Sequence, residues 1–378
     1  MTSNSQLSFF RNRRFVFREQ FSHWKNNWRN GLLRLVERVI AGGNVSDLLG
    51  GNGTQISHLD EFQPALIQSV RLVNPGSASE IFAFRPINSS QFLELQIVSM
   101  PQYLMILKEA RVDIRSGLPR LPLGFLLTDV LSQWQRLMYR GGMAHALHRL
   151  NSKSRKIKGR WTVIPYSPYF FHTIVEELPL ALKGAKFGQV ANVAVTDDTP
   201  DWAIDLLSRA GLEVTKFNSD TLEFEEFVAV TAPRGITRED IQLIRERLDI
   251  PQHNIQKRKI WITRGNLDRA NPALENSIFE LLKVRGFETV DPSQMSLDHQ
   301  IEFFSEASVI CGFHSGALTN MIWAGSTCKV IEIFNHPYRT HDYARLANAC
   351  GHEYTAVELS RLNDVESAIS QTFIEAGL

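Results

Sequence analysis

The sequence contains few cysteines and no hydrophobic run long enough to cross a bilayer. Its three cysteines, Cys311, Cys328 and Cys350, lack the spacing of a metal site, and so small an odd number argues against a disulfide framework. No stretch approaches the roughly 18 consecutive apolar residues of a spanning helix, and the first residues lack the apolar core and cleavage site of a secretory signal. These absences predict a protein of the cytoplasm.

The chain also lacks an excess of charge of either sign. Its 41 basic and 40 acidic side chains give a formal charge of +1, so no overall field would recruit nucleic acid, and we expect no nucleic-acid partner. With 43% hydrophobic and 21% charged residues the composition is that of an ordinary globular protein. A length of 378 residues suits two domains, each able to bury its own core.

The even balance conceals a basic arm at residues 1–40, which holds eight basic and two acidic residues, a net charge of +6. Phe17, Phe21, Trp24 and Trp28 recur there at the spacing of one helical face. A helix with aromatic residues on one side and arginines on the other can lie on an anionic membrane surface. It can equally pack on the body of the protein or on a second subunit, and both alternatives stay open.

Patterning after the arm predicts a linker, a group of strands and a helical segment. Residues 41–60 are rich in Gly, Asn and Ser, as linkers are. Residues 66–114 show the alternation of short strands or hairpins. Residues 121–150 predict helix. We interpret this part as an N-terminal helical and β extension.

From residue 161 onward, predicted strands alternate with predicted helices, the pattern of βαβ units and parallel sheets. The series breaks near residues 231–258. We therefore predict an α/β protein with two Rossmann-like domains that face each other across a cleft. The predicted boundaries are an arm and linker at 1–60, an N-terminal domain at 61–235 and a C-terminal Rossmann-like domain at 236–378, whose last helix is a candidate to cross back.

The densest polar signal follows the predicted strand of residues 309–311. Small residues there allow a ligand to approach the backbone, and the N–H groups that begin the next helix form an anion site. Ligands of open parallel sheets bind at this edge, so we expect a phosphate, although a turn that needs glycine only for geometry would look the same. The candidate residues are His314, Ser315, Gly316, Thr319 and Asn320.

Two arginines and a glutamate extend this predicted site. Arg264 and Arg269 follow the strand predicted at 259–263, and a guanidinium suits phosphate because it donates two hydrogen bonds at fixed geometry; the alternative is a solvated loop. Glu332 lies inside an apolar strand, where an unpaired carboxylate is costly. It is a candidate to accept hydrogen bonds from ribose hydroxyls, or else a glutamate in a salt bridge or on an edge strand.

A second constellation follows the strand that ends at residue 164. His172 and Glu176 are four residues apart and share one helical face. A carboxylate beside an imidazole orients the ring and raises its basicity, as a general base requires, although a histidine among aromatic residues is often structural. Asp197 and Asp198 suggest a metal-binding pair, but a strand end and a helix start explain them. We expect no metal and no cofactor.

These residues carry a resemblance to a known family. Residues 169–179 resemble the N-Y-F-H-W-x-x-E-x-L-P segment of glycosyltransferase family 61, which includes bacterial capsular-polysaccharide transferases and plant and animal xylosyl- and N-acetylglucosaminyltransferases. The resemblance covers residues 160–370. Thr173 replaces the usual Trp, which alters the expected acceptor pocket. Residues similar to the C-terminal signature are Trp261, Arg264, Arg269, Glu275, Gly286, Phe287, Gln300, Phe304, the turn from His314 to Asn320, and Glu332.

The resemblance implies a GT-B fold, a nucleotide-sugar donor and inversion at the anomeric carbon. We expect His172, supported by Glu176, to deprotonate the glycan acceptor, with Glu176 as the alternative base. Arg264, Arg269 and His314 would stabilise the leaving diphosphate in place of a metal. The expected protein is a hexosyl- or pentosyltransferase of surface-polysaccharide or capsule biosynthesis, peripheral at the inner face of the cytoplasmic membrane. The rival hypotheses are a catalytically inactive sugar-nucleotide-binding assembly protein and a nucleotide-sugar epimerase of the same architecture.

Overall fold

The computed structural model describes most of the chain after residue 101 and three strands before it. The predicted arm at 1–40, the predicted linker and, apart from Leu131, the helical prediction at 121–150 lie outside the described residues. The described residues are 67–74, 77–84, 93–99, 102–120, 131, 153–232, 235–251, 257–263, 272–325, 327–335, 340–359, 365–375 and 378.

Strands form within residues 66–114, where the alternation of the sequence predicts them. β2 and β3 make an antiparallel pair of their own, whereas β1 and β5 both pair with β4. The strands are β1 (Ile67–Asn74), β2 (Ser77–Phe84), β3 (Leu93–Ser99), β4 (Gln102–Asp113) and β5 (Leu118–Arg120).

The next part of the chain alternates strands and helices, as its periodicity predicts. The helix predicted from residue 169 begins as a π-helix (His172–Glu177) and continues as α1 (Leu178–Gly188). The other elements are β6 (Arg155–Val163), β7 (Asn192–Thr196), α2 (Asp201–Arg209), β8 (Glu213–Phe217), β9 (Thr221–Val230) and α3 (Arg238–Arg247).

The first sheet differs from the prediction because part of the N-terminal extension belongs to it. Its order is β1-β4-β9-β6-β7-β8, with β5 paired to β4. β9, β6, β7 and β8 are parallel neighbours, but β4 is antiparallel to β9. Burial explains the difference, since Leu107 and Ala110 of β4 are buried in one cluster with Phe224 and Phe227 of β9. The sheet is therefore mixed rather than purely parallel.

The second sheet is wholly parallel and has the order β11-β10-β12-β13-β14. The chain leaves β10 in one direction for β11 and crosses back to β12, so a topological switch point lies between β10 and β12. Its elements are β10 (Arg258–Ile262), α4 (Pro272–Lys283), β11 (Phe287–Val290), α5 (Leu297–Ser305), β12 (Ala307–Phe313), β13 (Lys329–Phe334), α6 (Asp342–Cys350), β14 (Glu353–Glu358) and α7 (Val365–Glu375).

One predicted helix has a different geometry. The segment after β12, expected as an α-helix over residues 316–324, is a 3₁₀-helix (Gly316–Trp323). Contacts at i to i+3 fit the tighter turn: the Asn320 amide donates to the Ala317 carbonyl at 3.0 Å, and the Trp323 indole donates to the Asn320 side chain at 2.9 Å. A 3₁₀ run of this length is uncommon.

A single hydrophobic cluster spans both sheets. It includes Ile164 and Leu182 from the first half and Ile262 and Leu346 from the second. A buried ion pair between Lys183 and Asp240 joins α1 to α3. Among the described residues, no helix is long and apolar enough to cross a membrane.

Candidate active site

Three polar side chains meet on the second sheet, with His314 at its carboxyl end and Tyr354 near the start of β14. His314, directly after β12, makes a hydrogen bond from its Nδ1 to Glu332 Oε1. The other carboxylate oxygen, Oε2, accepts a hydrogen bond from the Tyr354 hydroxyl. The side chains come from three neighbouring strands, because β12, β13 and β14 lie side by side in that order. We call these three side chains the His314–Glu332–Tyr354 set.

The His314–Glu332–Tyr354 set holds the Glu332 carboxylate entirely out of solvent. Glu332 is 0% exposed, and burial raises its pKa, while the bonds to His314 and Tyr354 act in the opposite direction. An unpaired buried charge costs several kcal/mol, so the two contacts explain how a glutamate is tolerated in an apolar strand. Its partners are therefore an imidazole and a phenol hydroxyl, whereas the sequence pattern predicts a ribose contact or a salt bridge.

The ring of His314 is held from several sides. It is stacked on Phe334 at 5.5 Å between centroids and meets Tyr343 edge-on at 5.2 Å. Its backbone N–H donates to the Ile333 carbonyl at 3.0 Å. The side chain remains 23% exposed. Since Nδ1 is bonded to Glu332, Nε2 is the nitrogen that would address a ligand.

The turn predicted to bind phosphate borders the switch point. A Cβ on Gly312 would lie 3.3 Å from the Ile262 carbonyl oxygen, so glycine lets β12 approach β10 closely, whereas one on Gly316 would meet no atom of the described residues within 4 Å. The hydroxyl oxygens of Ser315 and Thr319 are buried and have no hydrogen-bond partner among the described residues. Such groups carry a desolvation cost that a ligand could offset.

The opposite side of the switch point is formed by the end of β10. The Thr263 hydroxyl donates to Glu275 Oε2 of α4 at 2.7 Å, and Glu275 is buried. Arg264 and Arg269 follow Thr263 in the chain but lie outside the described residues.

The second predicted pair is present. His172 Nδ1 lies 3.1 Å from Glu176 Oε1, and the two side chains are 23% and 15% exposed. The contact across four residues forms although the segment is a π-helix, a form that is frequent at functional sites. The contact predicted from the sequence is confirmed; a catalytic role for it stays a prediction.

Aromatic rings connect the two histidine–glutamate pairs. Phe171 meets the His172 ring at 5.3 Å and the Tyr343 ring at 5.3 Å, and Tyr343 in turn meets His314 at 5.2 Å. The three contacts are edge-on, a favoured arrangement of aromatic rings. Tyr343 on α6 thus brings the segment after β6 close to the turn after β12.

The structure gives Asp198 a structural partner. Arg115 donates to Asp198 at 2.9 Å and to Asp220 at 2.9 Å. Among the described residues, no group of three or more His, Cys, Asp or Glu side chains could hold a metal ion.

All three cysteines are buried, and burial raises the pKa of the Cys350 thiol to about 12.

Tyr354 is the member of the site that sequence reasoning missed. It lies on β14, which begins at Glu353, two residues before the start at Thr355 that the sequence pattern predicts. In the register of β13 and β14, Glu332 is opposite Ala356. Tyr354 is two residues before Ala356 and so lies on the same face of the sheet. The signal in the sequence was a polar aromatic residue directly before the residues that predict this strand.

The fold defines an α/β protein whose candidate site borders the carboxyl edge of a parallel sheet, where open sheets bind their ligands. The family model for glycosyltransferase 61 matches residues 119–331, more than half of the chain. The protein therefore belongs to glycosyltransferase family 61. It is also similar to a beta-1,2-xylosyltransferase of rice, Oryza sativa subsp. japonica, with 32% identity over 82 residues, which is 21% of this chain and 15% of the rice protein.

Proposed function

We propose that the protein is an inverting glycosyltransferase that moves a sugar from a nucleoside-diphosphate sugar to a hydroxyl group of a glycan acceptor. The observation that carries the proposal is the pair of histidine–glutamate contacts joined through Phe171 and Tyr343. One pair suits proton removal and the other suits an anionic leaving group. Membership of the family and the similarity to a named xylosyltransferase support the same activity.

In this proposal the donor diphosphate lies at the switch point between β10 and β12. Arg264 and Arg269 would approach it from the end of β10, and the N–H groups of the Gly316 turn from the end of β12. The buried hydroxyls of Ser315 and Thr319 would gain partners from the ligand. The small side chains of the turn would leave room for the phosphates, since no atom of the part of the chain that the structure describes lies within 4 Å of a Cβ placed on Gly316.

We assign His314 to the leaving group. With Nδ1 held by Glu332, Nε2 would donate a hydrogen bond to a diphosphate oxygen as negative charge develops there. Glu332 would act as a positioning residue, because both of its oxygens are already engaged by His314 and Tyr354. This role replaces the ribose contact first expected of it.

We assign the acceptor side to His172. Glu176 holds Nδ1, so Nε2 would take the proton of the acceptor hydroxyl while that oxygen attacks the anomeric carbon. The bond from the anomeric carbon to the diphosphate oxygen breaks, and the electron pair leaves with the nucleoside diphosphate. Attack from the face opposite the leaving group inverts the configuration.

We further propose that transfer needs no divalent metal, because arginines, His314 and the backbone N–H groups of the turn supply positive charge. Transfer should persist in EDTA. Complete loss in EDTA with recovery in manganese would contradict this part and return attention to Asp197 and Asp198. The setting we propose is surface-polysaccharide synthesis at the inner face of the cytoplasmic membrane.

A panel of nucleotide sugars tests the central proposal. One of UDP-xylose, UDP-glucose, UDP-N-acetylglucosamine or GDP-mannose should raise the melting temperature of the full chain, and the same compound should release nucleoside diphosphate only when a methyl pyranoside acceptor is present. NMR of the product should show the inverted anomer.

Three other outcomes would contradict the proposal. Conversion of the donor sugar without any acceptor would favour the epimerase. Binding without transfer to any acceptor would favour the inactive assembly protein. A product with retained configuration would exclude the single-displacement mechanism.

A further inference from the structure

Tyr169 is exposed where aromatic side chains are otherwise covered. Of the described Phe, Tyr and Trp side chains whose surroundings the structure gives, it alone belongs to the exposed class, at 53% of its surface. An aromatic ring left in water forgoes a large gain from burial. Exposed apolar side chains are common singly, so the position of this one decides whether it has a meaning.

Tyr169 lies beside the proposed base. Its ring meets the ring of His172 edge-on at 6.1 Å, three residues along the same segment. The segment follows β6, and the carboxyl ends of parallel strands are where open sheets bind their ligands. A ligand that covers Tyr169 would therefore lie against His172.

The backbone of Tyr169 is fixed rather than loose. Its N–H donates to Ser167 Oγ at 3.2 Å, and its carbonyl accepts from both the N–H and the hydroxyl of Thr173, each at 3.2 Å. A ring on a fixed backbone loses little further freedom when a ligand stacks on it, and a preorganised contact binds at a lower entropic cost.

The Thr173 side chain helps to fix Tyr169. Thr173 is buried, and its hydroxyl donates to the Tyr169 carbonyl. Thr173 stands where the family segment has a tryptophan, which has no hydroxyl to make this bond.

We infer that Tyr169 is the stacking platform for a pyranose ring of the acceptor, an inference that rests on the proposed function. A pyranose with equatorial hydroxyls presents an apolar face of C–H groups and a polar rim. The tyrosine ring matches it, with an apolar face and a hydroxyl that stays in water. A sugar stacked there presents its rim hydroxyls to His172, which defines the acceptor as a neutral glycan with a gluco- or xylo-configured terminal ring.

Saturation-transfer NMR on the full chain tests this without any need for turnover. The probes are methyl β-xylopyranoside and methyl β-glucopyranoside, with xylitol and sorbitol as controls that have the hydroxyls but no ring. The proteins are the wild type, Tyr169→Ala, Tyr169→Phe and, as a matched control, Ile374→Ala, which truncates another exposed side chain.

We expect transfer to the ring C–H protons of a pyranoside in the wild type, in Tyr169→Phe and in Ile374→Ala. The dissociation constant should rise about 3- to 10-fold in Tyr169→Ala, the range for one aromatic contact. Equal affinities in the wild type and Tyr169→Ala would overturn the inference. So would equal binding of the alditols, or no binding of either pyranoside at tens of millimolar.

Failure here is distinguishable from failure of the proposed function. If pyranoside binding depends on Tyr169 but the protein transfers sugar from no donor, the pyranose subsite is supported and the proposed transferase activity is contradicted. If the wild type transfers sugar and Tyr169→Ala changes neither the rate nor the KM of the acceptor, the subsite is contradicted and the proposed transferase activity is supported.

Discussion

The two histidine–glutamate pairs of the site are built in different ways. His172 and Glu176 are neighbours on one helical segment, and both are partly exposed. His314 and Glu332 come from two strands separated by a helix, and the carboxylate has no contact with solvent. The first pair depends on local spacing alone, whereas the second depends on the register of β12 and β13, in which Gly312 lies opposite Glu332.

The two pairs differ in the burial of their carboxylates, since both imidazole side chains are 23% exposed. Glu176 keeps some contact with water and Glu332 has none, so we call them the exposed pair and the buried pair after these carboxylates. A group that faces a fixed diphosphate benefits from rigid placement, because preorganised charge requires no rearrangement at the moment of reaction. The exposed pair should therefore matter most for turnover, and the buried pair for donor affinity and for stability.

The largest effect is expected from the exposed pair. His172→Ala should reduce turnover about 10²- to 10⁴-fold, the usual contribution of a general base, with nucleotide affinity nearly unchanged. Glu176→Gln should cost less, because it only orients the ring. Single-turnover kinetics and calorimetry measure the two quantities, with the circular dichroism spectrum as a check of folding. Near-normal turnover in a folded His172→Ala protein would show the base to be elsewhere, with Glu176 the next candidate.

The donor side should respond in affinity first. Arg264→Ala or Arg269→Ala should weaken nucleoside-diphosphate binding by about 1.5–3 kcal/mol, the range for charge-assisted hydrogen bonds. Calorimetry with UDP and GDP measures this. Arg285→Ala is a suitable control, because Arg285 donates to the Leu281 carbonyl at the far end of α4. Unchanged affinity in both variants would remove the two arginines from the site.

The buried carboxylate should show itself in the pH dependence of stability. Burial raises the pKa of Glu332 above its value in the unfolded chain, about 4.5. A raised pKa contributes stability that is complete below the unfolded value and is lost as pH rises through the folded value. The melting temperature of the wild type, relative to Glu332→Gln, should therefore fall as pH rises from 4.5 towards 8. A pKa difference of one corresponds to about 1.4 kcal/mol.

Ile374→Ala is the control for this experiment, since it changes no titrating group and its difference from the wild type should not vary with pH. A difference between the wild type and Glu332→Gln that is constant across the range, or that grows with pH, would contradict the burial of an ionisable carboxylate at this position.

The sequence predicts the parts of this molecule that depend on local periodicity. Most strands and helices after residue 155 lie within two or three residues of their predicted bounds, although β6 and β9 begin six residues before the predicted starts at 161 and 227. The His172–Glu176 contact follows from a spacing of four. The place of β4 next to β9 does not follow, because that pairing joins residues more than 100 positions apart through burial of Leu107 and Phe227. Nor does the partner of Glu332, which depends on the neighbouring strands.

Tyr354 offers the smallest and most specific test of the comparison. Tyr354→Phe removes a single hydroxyl that donates to Glu332. In the proposed site this hydroxyl acts on the diphosphate only indirectly, through Glu332 and then His314. We expect nucleoside-diphosphate affinity at neutral pH to fall by about 0.5–1.5 kcal/mol, the range for one net hydrogen bond. The hydroxyl lowers the pKa of Glu332, so without it any step in the pH profile of nucleotide affinity that follows ionisation of Glu332 should move to higher pH. A purely structural role would lower the melting temperature without moving that profile. The exposed pair provides the contrast, because Glu176→Gln should lower turnover and leave nucleotide affinity unchanged; a loss of both by either variant would show that the two pairs act as one unit.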